Sequence, residues 1–83
     1  MRIKAIYDNG GKTADRYTVL FDEIDHFAGG EPMYLCLGLS SNPDSPMGYS
    51  QWCTGMPGKH LGKKVTLKAL PQKIQDHIKR RKA

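Results

Sequence analysis

The sequence MYLCLGL, residues 33 to 39, is the most apolar run of the chain and decides its fold class. Leucines occur at every second position, and the residues between them are also mostly apolar. This pattern is typical of a strand that is buried on both faces. The two predicted faces are Leu35, Leu37 and Leu39 on one side, and Tyr34 and Cys36 on the other. The run is too short to require a helix, and Gly38 predicts a bulge or a close approach to the backbone.

Two more strands are predicted upstream, in RIKAIY (2 to 7) and RYTVLF (16 to 21). The turn signal DNGG, residues 8 to 11, lies between them, and Asn and Gly tolerate the positive φ angles of tight hairpins. We therefore predict a β-hairpin. The next segment, DEIDHFAGGEP (22 to 32), is acidic and then glycine-rich. It predicts a connection, with one helical turn at its start as an alternative.

The C-terminal part predicts a short strand around residue 65 and then a helix over PQKIQDHIKRRK, residues 71 to 82. Thr66 is placed to cap a turn, and Pro71 suits the first turn of a helix, where its missing N–H has no cost. Apolar residues at helical spacing predict one buried stripe made of Leu67, Leu70, Ile74 and Ile78. The predicted fold is α+β: a small antiparallel sheet of three to five strands with one C-terminal helix packed on it.

Residues 40 to 62 form a long segment rich in proline, glycine and aromatic residues inside a single domain, residues 1 to 83. Connections of this length without regular structure are uncommon in compact domains. YSQWCT, residues 49 to 54, is predicted to form a strand there. The residues facing inward would be either Tyr49, Gln51 and Cys53 or Ser50 and Trp52. The segment would then cover one face of the sheet.

The composition is that of a small soluble domain, with 39% hydrophobic and 25% charged residues among 83. No apolar run reaches the ~20 residues of a membrane span, and the N-terminus lacks the apolar core of a signal peptide. Two cysteines without a zinc-type spacing indicate free thiols in a cytoplasmic protein. We therefore expect no membrane association and residence in a cytoplasm.

The net charge of +5 is concentrated at one end. Residues 1 to 58 carry four cations against seven carboxylates, whereas residues 59 to 83 carry nine cations against one carboxylate. A basic end of this kind attracts nucleic acid, an acidic protein face or an anionic membrane surface. The alternative is a solvated helix that ends in a basic tail at residues 80 to 83.

Two motifs resemble known binding sites without meeting their requirements. GGKT, residues 10 to 13, is similar to the end of a P-loop, but Ile6 stands where that motif needs glycine and strand residues follow. Potential zinc ligands are scattered and lack the usual short spacing. They are Cys36, Cys53, His26, His60 and His77. We predict no metal and no cofactor, and a small-molecule ligand is not expected.

Two groups of residues are possible catalytic sets, but neither is complete in the sequence. Cys53 and His60 could act as a thiol and its base, but no third orienting group is recognisable. The carboxylates Asp22, Glu23 and Asp25 are better explained as solvated turn residues than as an acid–base pair. We therefore predict a protein that is not an enzyme.

Three stretches resemble small uncharacterised proteins encoded by bacteriophages and other mobile elements. They are YDNGGKTADRYTV (7 to 19), LGLSSNPDSPMGYSQ (37 to 51) and HLGKKVTLKALPQKIQDHI (60 to 78). That group carries no established activity, so the resemblance implies no catalytic residue. It implies a phage or mobile-element gene that acts in a bacterial cytoplasm, where such genes often encode nucleic-acid binders or inhibitors of host and defence enzymes.

The function predicted on these grounds is an accessory protein that binds nucleic acid through its basic C-terminal face, with aromatic residues stacking on bases. Trp52 and Tyr49 are expected to form one aromatic and basic surface with nearby cationic residues, which are Lys59, His60, Lys63 and Lys64. The competing class is a protein-directed inhibitor of a host enzyme or defence complex, which would use the same face. The oligomeric state stays open. The candidate binding residues are Tyr49, Trp52, Lys59, His60, Lys63, Lys64, Lys73, Arg80 and Arg81.

Overall fold

A computed structural model describes residues 2–13, 15–40 and 50–82. Within these ranges the chain forms one antiparallel sheet of five strands, followed by a single α-helix, and the α+β prediction is confirmed. Single 3₁₀ turns precede and follow the last strand, at Lys59–Leu61 and Leu67–Ala69. The longer elements are β1 (Ile3–Asp8), β2 (Tyr17–Ala28), β3 (Glu31–Leu39), β4 (Ser50–Gly55), β5 (Lys63–Val65) and α1 (Gln72–Lys82).

The strand order is β4-β3-β2-β1-β5, so β4 and β5 form opposite edges of the sheet. The predicted alternation of MYLCLGL is confirmed, because Leu37 and Leu39 are buried beneath α1 whereas Cys36 is buried on the other face. A register shift between Ile3 and Ala5 sends Ile3 and Ile6 to the helix side. This bulge is why residues 2 to 7 do not alternate strictly in sequence.

The helix packs on the sheet through the predicted stripe. Leu70, Ile74 and Ile78 are all at most 5% exposed, and the partly buried Leu67 packs against the same cluster. Leu70 is extended (φ −84°, ψ 154°), as expected of a residue that precedes proline. Thr66 occupies the position before the 3₁₀ turn, but its side chain makes no capping hydrogen bond.

The β1–β2 connection is a hairpin turn, as predicted, and not a phosphate-binding loop. Gly10 and Gly11 adopt φ angles of 76° and 88°. The side-chain oxygen of Asn9 accepts hydrogen bonds from the backbone N–H groups of Gly11 and Lys12, at 2.8 and 3.0 Å. The guanidinium of Arg16 donates to both carboxylate oxygens of Asp8, at 2.8 and 3.1 Å, and closes the base of the turn.

Residues 22 to 31, here called the arm, are the end of the ribbon in which β2 pairs with β3. The prediction of an irregular connection was wrong. β2 continues to Ala28, which pairs with Glu31 across a two-residue turn. Gly29 and Gly30 supply the turn with φ angles of 59° and 84°, a combination that tight hairpins favour. Pairing with β3 keeps this acidic segment extended, although every residue of the arm is exposed.

Two further predictions concern residues 40 to 62 and the end of α1. The predicted strand in residues 40 to 62 is confirmed as β4, whereas Met47 and Tyr49 lie outside the described residues. Residues 80 to 82 form the last turn of α1, within the predicted helix. The C-terminal cations therefore have positions set by a helix.

Candidate nucleic-acid interface

One flank of α1 carries a row of basic side chains. Lys73, His77 and Arg80 are spaced four and three residues apart, so they lie on one side of the helix. Ile74 and Ile78 point into the core, which places this row beside the buried stripe. Lys73 and Arg80 are exposed. We call Lys73, His77, Arg80 and the adjacent Arg81 the basic flank.

The basic flank borders β4. The Nε2 atom of His77 lies 2.8 Å from the Oγ atom of Ser50, the first residue of that strand. Side chains two residues apart on a strand share one face, so Trp52 projects on the same side as Ser50. Ser50 and Trp52 pair with Leu39 and Leu37, which lie on the helix side of the sheet. The structure thus brings Trp52 to the side of the sheet on which α1 packs.

Trp52 contacts a core residue and is also exposed to solvent. Its ring centroid lies 5.8 Å from that of the buried Phe21, at an interplanar angle of 44°. The indole is nevertheless 43% exposed. A ring that is held by a core residue and exposed to solvent can stack on a base without a large loss of side-chain freedom.

The pKa of His77 is affected by the positive charge around it. Burial lowers the pKa of His77, and the guanidinium groups of Arg81 and Arg80 lower it further. A nearby cation disfavours the imidazolium form of a histidine. The same positive field would favour an anionic phosphate.

The remaining basic candidates occupy the other edge of the sheet. Lys63 and Lys64 belong to β5, and both are exposed. Lys59 and His60 lie in the 3₁₀ turn just before it, and both are exposed. Lysines on a short edge strand also discourage pairing with another chain, which gives this group a structural explanation.

The predicted single surface that combines Trp52 with these lysines is not formed. β4 and β5 are separated by four strand spacings, roughly 19 Å. The prediction was wrong because it relied on closeness in sequence, whereas β5 crosses to pair with β1. The structure combines Trp52 with α1 instead. The other predicted stacking residue, Tyr49, lies outside the described residues.

Cys53 lies in β4, whereas His60 lies in the 3₁₀ turn before β5, the strand at the opposite edge of the sheet. The pKa of Cys53 is set by Cys36, by burial, by the carboxylate of Asp15 and by the backbone of Gly38, and His60 is not among these groups. In the described ranges, no group of three or more His, Cys, Asp or Glu side chains is placed to hold a metal ion. Asp22, Glu23 and Asp25 are exposed along the arm.

Two features of the surface were missed by sequence reasoning. The arm exposes Ile24 (47%) and Phe27 (65%) between carboxylates, and a Gly-Gly pair between two possible strands was the available signal for a hairpin. The contact between Ser50 and His77 joins residues 27 positions apart, and no local pattern announces such a contact.

Comparisons with protein-family models, curated proteins and solved structures return no match. Within the part of the chain that the structure describes, no helix has both the length and the apolar character needed to cross a membrane.

Proposed function

We propose that this protein is a non-enzymatic accessory protein of a phage or mobile element that binds nucleic acid through its basic C-terminal face. The observation that carries the proposal is the exposed indole of Trp52 on the side of the sheet where α1 carries its basic flank. Sequence-independent binding of single strands combines these two features: cations that follow the phosphates and aromatic rings on which bases stack.

Each residue has a distinct role in this proposal. Lys73, Arg80 and Arg81 neutralise phosphates and release counterions, which supplies affinity without base recognition. Trp52 stacks on a base and favours single strands over duplexes, in which bases are already stacked. His77 connects α1 to β4 and so holds the indole of Trp52 in a fixed position relative to the cations of the basic flank.

The test is fluorescence anisotropy with labelled single- and double-stranded DNA and RNA at two salt concentrations. We compare Lys73→Glu/Arg80→Glu with Lys63→Glu/Lys64→Glu, which changes the net charge equally at the opposite edge of the sheet. The helix variant should lose more affinity, and the loss should be similar for all sequences because phosphate contacts carry no base code.

Two results contradict the proposal. Equal losses in the two variants would show that net charge, and not the basic flank, attracts nucleic acid. Failure of the folded protein to bind any of the four probes at low salt would leave the protein-directed function as the leading candidate.

A second candidate function, a protein-directed inhibitor of a host or defence complex, is favoured by the arm. Ile24 pairs with Tyr34, and Phe27 pairs with Pro32. Opposite residues of an antiparallel pair share a face, so these side chains extend the face that contains Cys36 and Leu20. An exposed aromatic residue and an exposed isoleucine on a projecting ribbon are typical of a protein contact.

Charge defines the partner that would fit the arm. Four exposed carboxylates flank the two apolar side chains, and they are Asp22, Glu23, Asp25 and Glu31. The complementary surface is a protein cleft with an apolar floor and a rim of lysine and arginine. This assignment differs from the sequence-based expectation that the basic face contacts the protein target.

A pull-down from nuclease-treated host lysate separates the two candidates. A protein retained by the wild type and by Lys73→Glu/Arg80→Glu, but lost with Ile24→Ser/Phe27→Ser, supports the arm. A protein lost with the helix variant supports the basic flank as a protein contact. If nothing is retained after nuclease treatment, the protein-directed function is contradicted.

A further inference from the structure

Cys36 and Cys53 are direct partners across β3 and β4. Opposite residues in an antiparallel pair have Cα atoms about 4.5 to 5.5 Å apart, and a disulfide requires about 4.4 to 6.8 Å. Both side chains belong to the cluster on the face away from α1, and both are free thiols. The sheet register therefore already holds the two residues at a separation that a cross-strand disulfide can span.

The two thiols differ in exposure and in acidity. Cys36 is 1% exposed, and its Sγ atom lies 3.3 Å from the carbonyl oxygen of Tyr34. Cys53 is partly exposed. A hydrogen bond from Cys36 lowers the pKa of Cys53 to about 7, and this contact, with burial, raises the pKa of Cys36. A reagent from solvent therefore meets Cys53 first, and meets it partly as a thiolate.

We propose that Cys36 and Cys53 form a thiol–disulfide exchange site whose oxidant is a small disulfide of the glutathione class. The Cys53 thiolate attacks one sulfur of the small disulfide, forms a mixed disulfide and expels one thiolate. Cys36 then loses its proton and attacks Cys53 Sγ, which expels the second thiolate. The two protons of the protein thiols pass to the expelled thiolates. One small disulfide is reduced to two thiols, and the protein gains one disulfide.

The bond would join β3 to β4, the strand that carries Ser50 and Trp52. Among the described strands β4 has β3 as its sole neighbour, so a single backbone ladder joins this edge strand to the sheet. A covalent link opposes slippage and fraying of that ladder and restricts the unfolded chain. The exchange site does not depend on nucleic-acid binding, and it would regulate the strand on which Trp52 sits.

The test uses the reduced wild-type protein and oxidised glutathione, followed by mass spectrometry without reductant. We expect a monomer that has lost two hydrogens and carries no glutathione. Its melting temperature should rise on the order of 10 °C, and reduction should reverse the shift. A persistent mixed disulfide, dimers linked between chains, or no reaction of the folded protein would each overturn the proposal. An unchanged or lower melting temperature contradicts stabilisation of β4.

Two variants assign the order of attack. Cys36→Ala should stop at the mixed disulfide with one glutathione on Cys53, because the second nucleophile is missing. Cys53→Ser should stay unmodified, because the remaining thiol is buried. Rapid modification of Cys36 in the folded Cys53→Ser protein would contradict the proposed order.

Discussion

The Nε2 atom of His77 lies 2.8 Å from the Oγ atom of Ser50, and this contact joins α1 to the edge strand β4. The imidazole is partly buried, and both its burial and the neighbouring arginines disfavour its protonation. The neutral ring is therefore the form that the folded protein favours. The same contact is central to the candidate interface, because it relates Trp52 to the basic flank.

Stability should fall as the solution is acidified through the range in which histidine titrates. The pKa of His77 is lowered from its ordinary value of 6.5 by burial and then by Arg81 and Arg80. The unfolded chain then binds a proton at a pH where the folded chain does not, so stability rises with pH. The contribution of His77 to stability is fully present at a pH above the pKa that His77 has in the unfolded chain. It is lost as the pH falls through the lower pKa of His77 in the folded chain.

Urea unfolding between about pH 5 and pH 8 measures this slope. His77→Gln should flatten the pH dependence. Thr54→Ala, which changes an exposed, non-titrating residue of β4, is the control and should keep the slope. If His77→Gln retains the slope of the wild type, the contact does not have this role.

Ile74→Ala should strongly destabilise the protein. Ile74 belongs to α1 and is 2% exposed between the helix and the sheet, and truncating a buried isoleucine costs about 2–5 kcal/mol. Domains of this kind are stable by only about 5–15 kcal/mol, so the loss is a large fraction of the total. Denaturant unfolding gives the value, with the exposed Lys79→Ala as a control that should change little. Equal stability of the Ile74 and Lys79 variants would mean that the helix is not docked through this stripe.

Gly10→Val and Gly11→Val should each destabilise the β1–β2 hairpin by about 1–2 kcal/mol, the cost of a left-handed conformation for a residue with a side chain. A Cβ atom at either glycine would meet no heavy atom within 4 Å. The loss would therefore come from backbone strain and not from a steric clash. Lys12→Val is the control, since positive φ in the described chain is confined to glycines. Thermal unfolding decides the comparison, and a loss at Lys12 as large as at the glycines would contradict it.

Trp52→Ala should weaken binding to single strands more than binding to duplexes. The loss of one stacked base is worth about 1–3 kcal/mol, whereas phosphate contacts are retained. The dependence on salt should keep its slope, about 0.7 to 0.9 per neutralised phosphate, because the substitution removes no charge. Trp52→Phe should retain part of the affinity, and circular dichroism checks the folding of both variants. Equal losses on single strands and duplexes would exclude stacking by Trp52.

Several features of the fold follow from local sequence. The glycines at positions 10 and 11 predict positive φ because only glycine adopts that region without cost. The alternation in residues 33 to 39 predicts two buried faces because successive side chains of a strand project in opposite directions. Leu70, Ile74 and Ile78 predict the helix face because their spacing follows the helical repeat. In each case the determining interactions lie within a few residues of one another.

The arrangement of the candidate sites was decided by tertiary structure. Residues 22 to 28 include three carboxylates and lack a strict apolar alternation, and they are extended because they pair with β3. β5 pairs with β1 and not with β4, which separates Lys63 and Lys64 from Trp52. The register of β3 against β4 places Cys36 opposite Cys53. Strand order and register depend on contacts between distant segments, whereas residue spacing within one segment carries only the local periodicity.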